Sequence, residues 1–370
     1  MWMIIFMALP LLGSAYLSWH LWTLLPLHPL WRCLSIILLI GSFLMLFLNF
    51  GRRFDALPMP LATACYEVST SSVFVMLYLV LLFLLLDLGR LVRLVPRSWF
   101  YQNGWTAVAI LVFMVGIFVY GNVHYINKVR VELDLPTDKA LAKDYKLVMI
   151  SDLHIGYHNP RRELARWVDL INAERPDFVL IAGDIIDGPM RPIVEERMAE
   201  EFHRLQAPVY ACLGNHEYFA GSPEAQQFYH DAGIHLLIDE TAVVDSNLVI
   251  IGRDDRTNMR RKPLGDLVLK NPLYRSGQGE VFSIVLDHQP YNLDRAEQAG
   301  VDFQLSGHTH RGQVWPISWI TDRVYECSWG SHQRGNTRFY VSSGLGIWGG
   351  KFRIGTQSEY VVATLTSRKK

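Results

Sequence analysis

The feature that most limits what this chain can fold into is the uneven distribution of its apolar residues. Residues 1–127 hold nearly all the long apolar runs, while the remainder reads as a water-soluble domain. A membrane-spanning helix needs about 20 mostly apolar residues. Four stretches reach or approach that length: 1–25, 34–50, 71–88 and 105–123. They are apolar all round, without the polar stripe a soluble bundle needs. The first run lacks the basic start of a cleaved signal peptide, and three more follow it. Trp19, Trp22, Trp31, Trp99, Tyr101, Trp105, Tyr120 and Tyr125 flank the runs, as interfacial aromatic residues do. The expectation is an all-α transmembrane domain of about four helices over 1–127.

Arg90, Arg93 and Arg97 in the third loop place that loop in the cytoplasm by the positive-inside rule. A multi-pass protein of the cell (inner) membrane then carries its C-terminal domain on the exterior side. Arg52, Arg53, Lys128 and Arg130 oppose that orientation. Asp87 reads as an interfacial residue near Arg90. With 35 basic and 35 acidic residues, the chain has no bulk attraction for nucleic acid, and no obligate protein partner is evident. Cys33, Cys65, Cys212 and Cys327 form no CxxC pair and read as reduced or buried thiols.

After a linker at 128–144, strand-like runs alternate with helical patterns over 145–370. KLVMIS, PDFVLIAGD and APVYACLGN are short apolar runs, and helical spacing covers 161–174, 194–205 and 226–232. Further runs follow at IHLLID, NLVIIGRDD, EVFSIVLDH, VDFQLSGH, RFYVSSG and EYVVATLT, before a basic tail at 367–370. This order predicts an α/β fold: a two-sheet sandwich flanked by helices.

Five of these runs end in residues that favour metals. The ends are Asp152-Leu153-His154, Gly183-Asp184-Ile185-Ile186-Asp187, Gly214-Asn215-His216-Glu217, Asp287-His288 and Gly307-His308-Thr309-His310. In open α/β sheets ligands bind beyond the carboxyl ends of strands. A concentration of carboxylates and imidazoles at one sheet edge is costly without a cation. Asp, His and Asn without Cys favour divalent ions such as Mn2+, Fe2+/3+ or Zn2+. The set is too large for one tetrahedral site, so two divalent metal ions bridged by one carboxylate are expected.

In that order, DLH, GDIID, GNHE, a later His and GHTH resemble the calcineurin-like metallophosphoesterase superfamily. GRDD (252–255), LSGHTHRGQ (305–313) and YVSSGLG (340–346) are similar to the bacterial phosphodiesterase subgroup that includes YaeI and YkuE, and the apolar front end resembles that subgroup's membrane-attached members. The resemblance implies that Asp152, His154 and His310 hold one metal, that Asn215, His288 and His308 hold the other, and that Asp184 bridges both. It implies that His216 acts on the leaving-group oxygen without binding metal, and that the Asp187 carboxylate orients His216.

The expected activity is hydrolysis of a phosphodiester or pyrophosphate by metal-activated hydroxide. The membrane domain points to a lipid-linked or membrane-associated substrate, and a resembling branch cleaves UDP-diacylglucosamine. Gly188 stands where the superfamily's protein phosphatases carry Arg, which argues against a phosphoprotein substrate. Arg311, His158 and Arg353 are weighed as substrate contacts against purely structural roles, and Gly344–Gly350 as a loop whose backbone approaches the site or as a plain turn between strands. The alternatives are a membrane sensor or scaffold with a degenerate phosphoesterase fold, and a transporter with an accessory hydrolase.

Overall fold

Contacts along the chain divide it into two units, residues 1–122 with 349–351, and 123–348 with 352–370. The structure is a computed structural model that describes residues 2–271 and 281–368, with the side chains of 2–9 and 270 outside the description. Glu280, read as the start of a strand, and Lys369 and Lys370 of the basic tail lie outside the described residues.

The first unit consists of four helices, α1 (Trp2–Leu24), α2 (Pro29–Phe50), α3 (Met59–Leu91) and α4 (Gly104–Ile126), the last running into the second unit. Among the described residues, α2, α3 and α4 are long and apolar enough to cross a membrane. The fourth apolar run is α1, a helix of 23 residues with Pro10 inside it. No residue of α2 is buried, and Leu30, Ile37, Leu38 and Phe50 are each more than 60% exposed. Such a surface requires hydrocarbon as its solvent, where α-helices satisfy their own backbone groups. The polar partners of Asp87 differ from expectation. Its carboxylate accepts from Tyr16 Oη at 2.7 Å and lies 3.0 Å from His20 Nε2, both on α1, while Arg90 stands 4.0 Å away. A carboxylate among apolar helices is held best by buried donors on a facing helix.

In the second unit, two six-stranded mixed sheets pack face to face in the orders β1-β12-β2-β3-β4-β5 and β10-β11-β9-β8-β7-β6. The strands of the first sheet are β1 (Val129–Thr137), β2 (Tyr145–Ile150), β3 (Phe178–Ala182), β4 (Val209–Cys212), β5 (His235–Leu236) and β12 (Glu359–Ser367). Those of the second are β6 (Glu240–Asp245), β7 (Leu248–Gly252), β8 (Phe282–Leu286), β9 (Phe303–Ser306), β10 (Gly330–Arg334) and β11 (Thr337–Val341). The core between the sheets contains Leu147, Met149, Phe178 and Leu180 from one and Ile250, Ile284, Leu286 and Phe303 from the other. Helices α5 (Arg161–Ala173), α6 (Arg191–Glu195), α7 (Ala199–Phe202), α8 (Asn215–Ala220) and α9 (Ser222–Asp231) belong to the first half of the domain. α10 (Leu264–Lys270), α11 (Asp294–Gln298) and α12 (Ile317–Val324) belong to the second.

The stretch expected to be a linker at 128–144 contains β1, which pairs in parallel with β12 from Val129 to Thr137. Its alternation of Val129, Val131, Leu133 and Leu135 with charged residues is the period of a strand with one face to solvent. The helix expected at 194–205 is two short helices, α6 and α7. β2, β3 and β4 run parallel, as do β7, β8 and β9, so each sheet aligns three successive strand ends.

Candidate metal centre

All seven residues expected to bind metal follow the ends of β2, β3, β4, β8 and β9. Three groups form there: Asp152, His154 and His310; Asp184, His288 and His308; and His154, Asp184 and His216. Each group offers ligand atoms within 4.8 Å of one another. Asp184 and His154 each occur in two of them, so the groups are joined. Asn215, at the start of α8, buries its Oδ1 with no hydrogen-bond partner among the described residues. Buried acceptors of this kind are costly unless something else satisfies them.

The spacing suits shared ions. Ligands about 2.1 Å from one ion lie about 3.0 Å apart at a right angle and about 3.4 Å apart at a tetrahedral one. His154 Nε2 is 3.1 Å from His310 Nε2, and Asp184 Oδ2 is 3.0 Å from His288 Nε2. His310 Nε2 is 3.4 Å from Asp152 Oδ1.

The backbone is distorted to converge these groups. Asp152, His154, Asp184, His308 and His310 all have φ between 46° and 70°. A non-glycine residue held there costs of order 1–3 kcal/mol, and such outliers cluster at functional sites. Two glycines allow the carboxylates to dock on neighbouring strand ends. Asp184 Oδ1 accepts from His216 N at 2.9 Å, and a Cβ at Gly214 would lie 2.1 Å from that oxygen. Asp152 accepts from His308 N at 3.0 Å, and a Cβ at Gly307 would lie 2.3 Å from its Oδ2. The glycines in GNH and GHTH therefore make room for a carboxylate.

The electrostatics show an excess demand for positive charge. Burial would lower the His154 pKa, but the Asp152 and Asp187 carboxylates outweigh it and push it up to about 10. His288 is likewise raised, burial being outweighed by Asp184. His308 is pushed down to about 4 by burial and then by His288. Positive charge is favoured at His154 and His288 and opposed by burial at His308 and His310, and divalent ions compete with protons for the same lone pairs.

The Asp187 carboxylate does not orient His216 as expected. It lies 3.2 Å from His154 Nδ1 and 3.9 Å from His216 Nδ1, and the Asp187 backbone carbonyl pairs with His216 Nδ1 instead. The turn of GDIID brings its carbonyl to one histidine and its carboxylate to the other. A carboxylate behind a histidine nitrogen fixes the tautomer and basicity of a ligand. Asp287 turns to Arg261, 3.0 Å away, and to Arg253 at 3.6 Å.

Arg353 and His158 are fully buried. Arg353 donates to the carbonyls of His310 at 2.8 Å and Gly346 at 3.1 Å, and His158 Nε2 pairs with the Ile347 carbonyl. Both are structural. Arg311 lays its guanidinium over Trp329, 4.1 Å from the ring centre. The loop from Gly344 pairs with the end of β2, through Leu345 N to Ser151 O and Gly346 N to Asp152 O, both 3.0 Å. Glu217 is the residue whose role is not read from sequence. Fully buried, it accepts from Gly214 N at 2.7 Å, Ile186 N at 3.0 Å and Asp184 N at 3.1 Å, tying two strand ends together. Its place after GNH was the available signal.

Residues 145–312 match the family model described as calcineurin-like phosphoesterase. The chain carries a calcineurin-like phosphoesterase domain. It is 30% identical to an uncharacterized metallophosphoesterase of Campylobacter jejuni over 251 residues, which are 65% of this chain and 63% of that relative. It is 29% identical to the metallophosphoesterase YkuE of Bacillus subtilis, over 67% of this chain and 90% of YkuE. It is 29% identical to a transmembrane protein with metallophosphoesterase domain of Danio rerio, over 76% of this chain and 70% of that protein. The fish protein's name agrees with the apolar helices that precede the phosphoesterase domain here. All four cysteines are free thiols.

Proposed function

We propose that the chain is a membrane-held, dinuclear-metal phosphodiesterase or pyrophosphatase. The observation that carries this reading is that two ligand groups, Asp152 with His154 and His310 and Asp184 with His288 and His308, lie side by side, Asp184 Oδ2 standing 3.7 Å from His154 Nε2. Asp152, His154 and His310 would hold one divalent ion, Asn215, His288 and His308 the other, and Asp184 both. Bound there, the ions would neutralise phosphate charge and acidify a water to serve as nucleophile.

The protein's own residues supply the rest. His216 keeps 21% of its side chain exposed, whereas His154 and His288 are fully enclosed, so it is open to substrate. Its Nδ1 is engaged by the Asp187 carbonyl, which leaves Nε2 for the leaving-group oxygen. Asp187 steadies His154 through Nδ1. Glu217 holds the backbone of Asp184 and Gly214, and so the spacing of the two strand ends. Gly188 follows Asp187, leaving no arginine there to clamp a phosphoprotein. The membrane helices support a lipid-linked phosphoester, of which UDP-diacylglucosamine is one type.

The test uses purified full-length protein with Mn2+ and bis-p-nitrophenyl phosphate. We expect metal-dependent hydrolysis that is lost in Asp184→Asn and His308→Ala. Full activity in either variant would refute the dinuclear assignment. Turnover of a pyrophosphate-linked glycolipid in mixed micelles, above that of its water-soluble headgroup, is expected if the substrate is lipid-linked.

A further inference from the structure

α12 begins at Ile317, seven positions after His310, and packs on the turn His310–Gly312. Tyr325, which follows the helix, sets its ring 6.3 Å from that of His308. The helix is therefore fixed beside the metal centre.

Its outer face is unlike the surface of a soluble domain. Trp319 is 65% exposed, Ile320 61% and Val324 57%, and Trp315 just before the helix is 43% exposed. The indoles of Trp315 and Trp319 meet edge to face at 5.3 Å. Ser318 and Cys327 point inward, and Asp322 accepts from Ser328 Oγ. Arg323, also exposed, makes no ion pair among the described residues. Two tryptophans, two aliphatic residues and an unpaired arginine on one short face match segments that lie at the headgroup–acyl boundary, where indoles and cations favour the interface and aliphatics the acyl region. Contiguous exposed apolar patches mark interaction sites.

The occupant follows from the same chain. α2, α3 and α4 are apolar enough to span a bilayer, and only residues 127–128 separate the end of α4 from β1. Two residues reach about 7 Å at most. The phosphoesterase domain is thus joined by a short connection to a helix long and apolar enough to span a bilayer.

We propose that α12 is an interfacial helix whose Trp319, Ile320 and Val324 insert into the bilayer crossed by the chain's own helices. The metal centre then opens at the lipid surface, and a phosphoester on a lipid headgroup enters without leaving the membrane. That last consequence rests on the function proposed above; the insertion itself does not.

The experiment uses the full chain with Cys33→Ser and Cys65→Ser, reconstituted in phosphatidylethanolamine–phosphatidylglycerol vesicles. Nitroxide labels are placed at Ile320→Cys, at Val324→Cys on the same face, at exposed Val194→Cys on α6 and at exposed Leu38→Cys on α2. Accessibility to oxygen and to a water-soluble nickel chelate reports each label's surroundings. Labels at 320 and 324 are expected to favour oxygen, as at 38, with nickel accessibility at least about fivefold below that at 194. Labels at 320 and 324 that match 194 would overturn the proposal. Labels shielded from both reagents would also overturn it, by showing that protein covers the face. Hydrolysis of bis-p-nitrophenyl phosphate by the same preparations reports folding. Inserted labels on a protein that hydrolyses no phosphoester would refute the proposed function and leave the insertion standing.

Discussion

Replacing Glu217 by Gln changes one atom and leaves the volume almost constant, yet the structure predicts a large effect. Glu217 is fully buried, and its two oxygens accept three backbone N–H groups: Gly214 and Asp184 on Oε2, and Ile186 on Oε1. Burial, and then Asp184, push its pKa up, while the N–H donors favour the ionised form. Three backbone donors on its two oxygens favour the carboxylate. In the Glu217→Gln variant the amide nitrogen must face at least one backbone N–H. The variant loses one or two charge-assisted hydrogen bonds of about 1.5–3 kcal/mol each and strands a buried donor. A total of about 3 kcal/mol corresponds to a fall in Tm of about 6–12 °C for a domain of this size. Mn2+ affinity should fall as well, because Asp184 and Asn215 hang on the segments Glu217 ties. Thermal unfolding of the full chain in detergent, followed by tryptophan fluorescence, reads the first effect, and Mn2+ titration reads the second. A Tm within about 2 °C of the parent with unchanged Mn2+ affinity would show that Glu217 is protonated or that its hydrogen bonds hold nothing.

His216→Gln should cost about 10²–10³-fold in kcat on an ester with an alkoxide leaving group and much less on a p-nitrophenyl ester, whose leaving group needs no proton. Comparison of the two substrates checks it, and equal losses would place His216 outside proton donation. Saturating Mn2+ at about 100 times its Kd should raise the stability of the phosphoesterase domain by about 2.7 kcal/mol for each bound ion, reversed by a chelator. A Tm indifferent to chelation would contradict the metal centre. Glu174, held down to about 2 by Arg130 and then by Lys146, has a folded pKa below its ordinary 4.5. Its contribution is complete above pH 4.5 and is lost as pH falls towards 2; because Arg130 is partly exposed, it amounts to no more than about 1 kcal/mol. Denaturation at about pH 6 and about pH 3 should show that Glu174→Gln removes this part of the acid sensitivity.

The sequence by itself determined the elements with short-range physics behind them. Apolar runs without a polar stripe point to helices in lipid, and α2, α3 and α4 are long and apolar enough to cross a membrane. Polar residues at the ends of apolar strands announced the candidate metal centre, since the chain must turn there and nothing in packing calls for Asp, Asn and His together. What tertiary structure alone decided are pairings between segments far apart in sequence. β1 became a strand because β12, some 230 positions later, lies beside it. Asp187 turned its carboxylate to His154 because its carbonyl was taken by His216. Arg353 is spent on the carbonyls of His310 and Gly346, and a lone arginine gives no sign of that. Residue type and spacing carry local conformation and chemical capacity. Which partner consumes that capacity depends on what the fold places within about 3 Å, and that distance exists only once the strands have met.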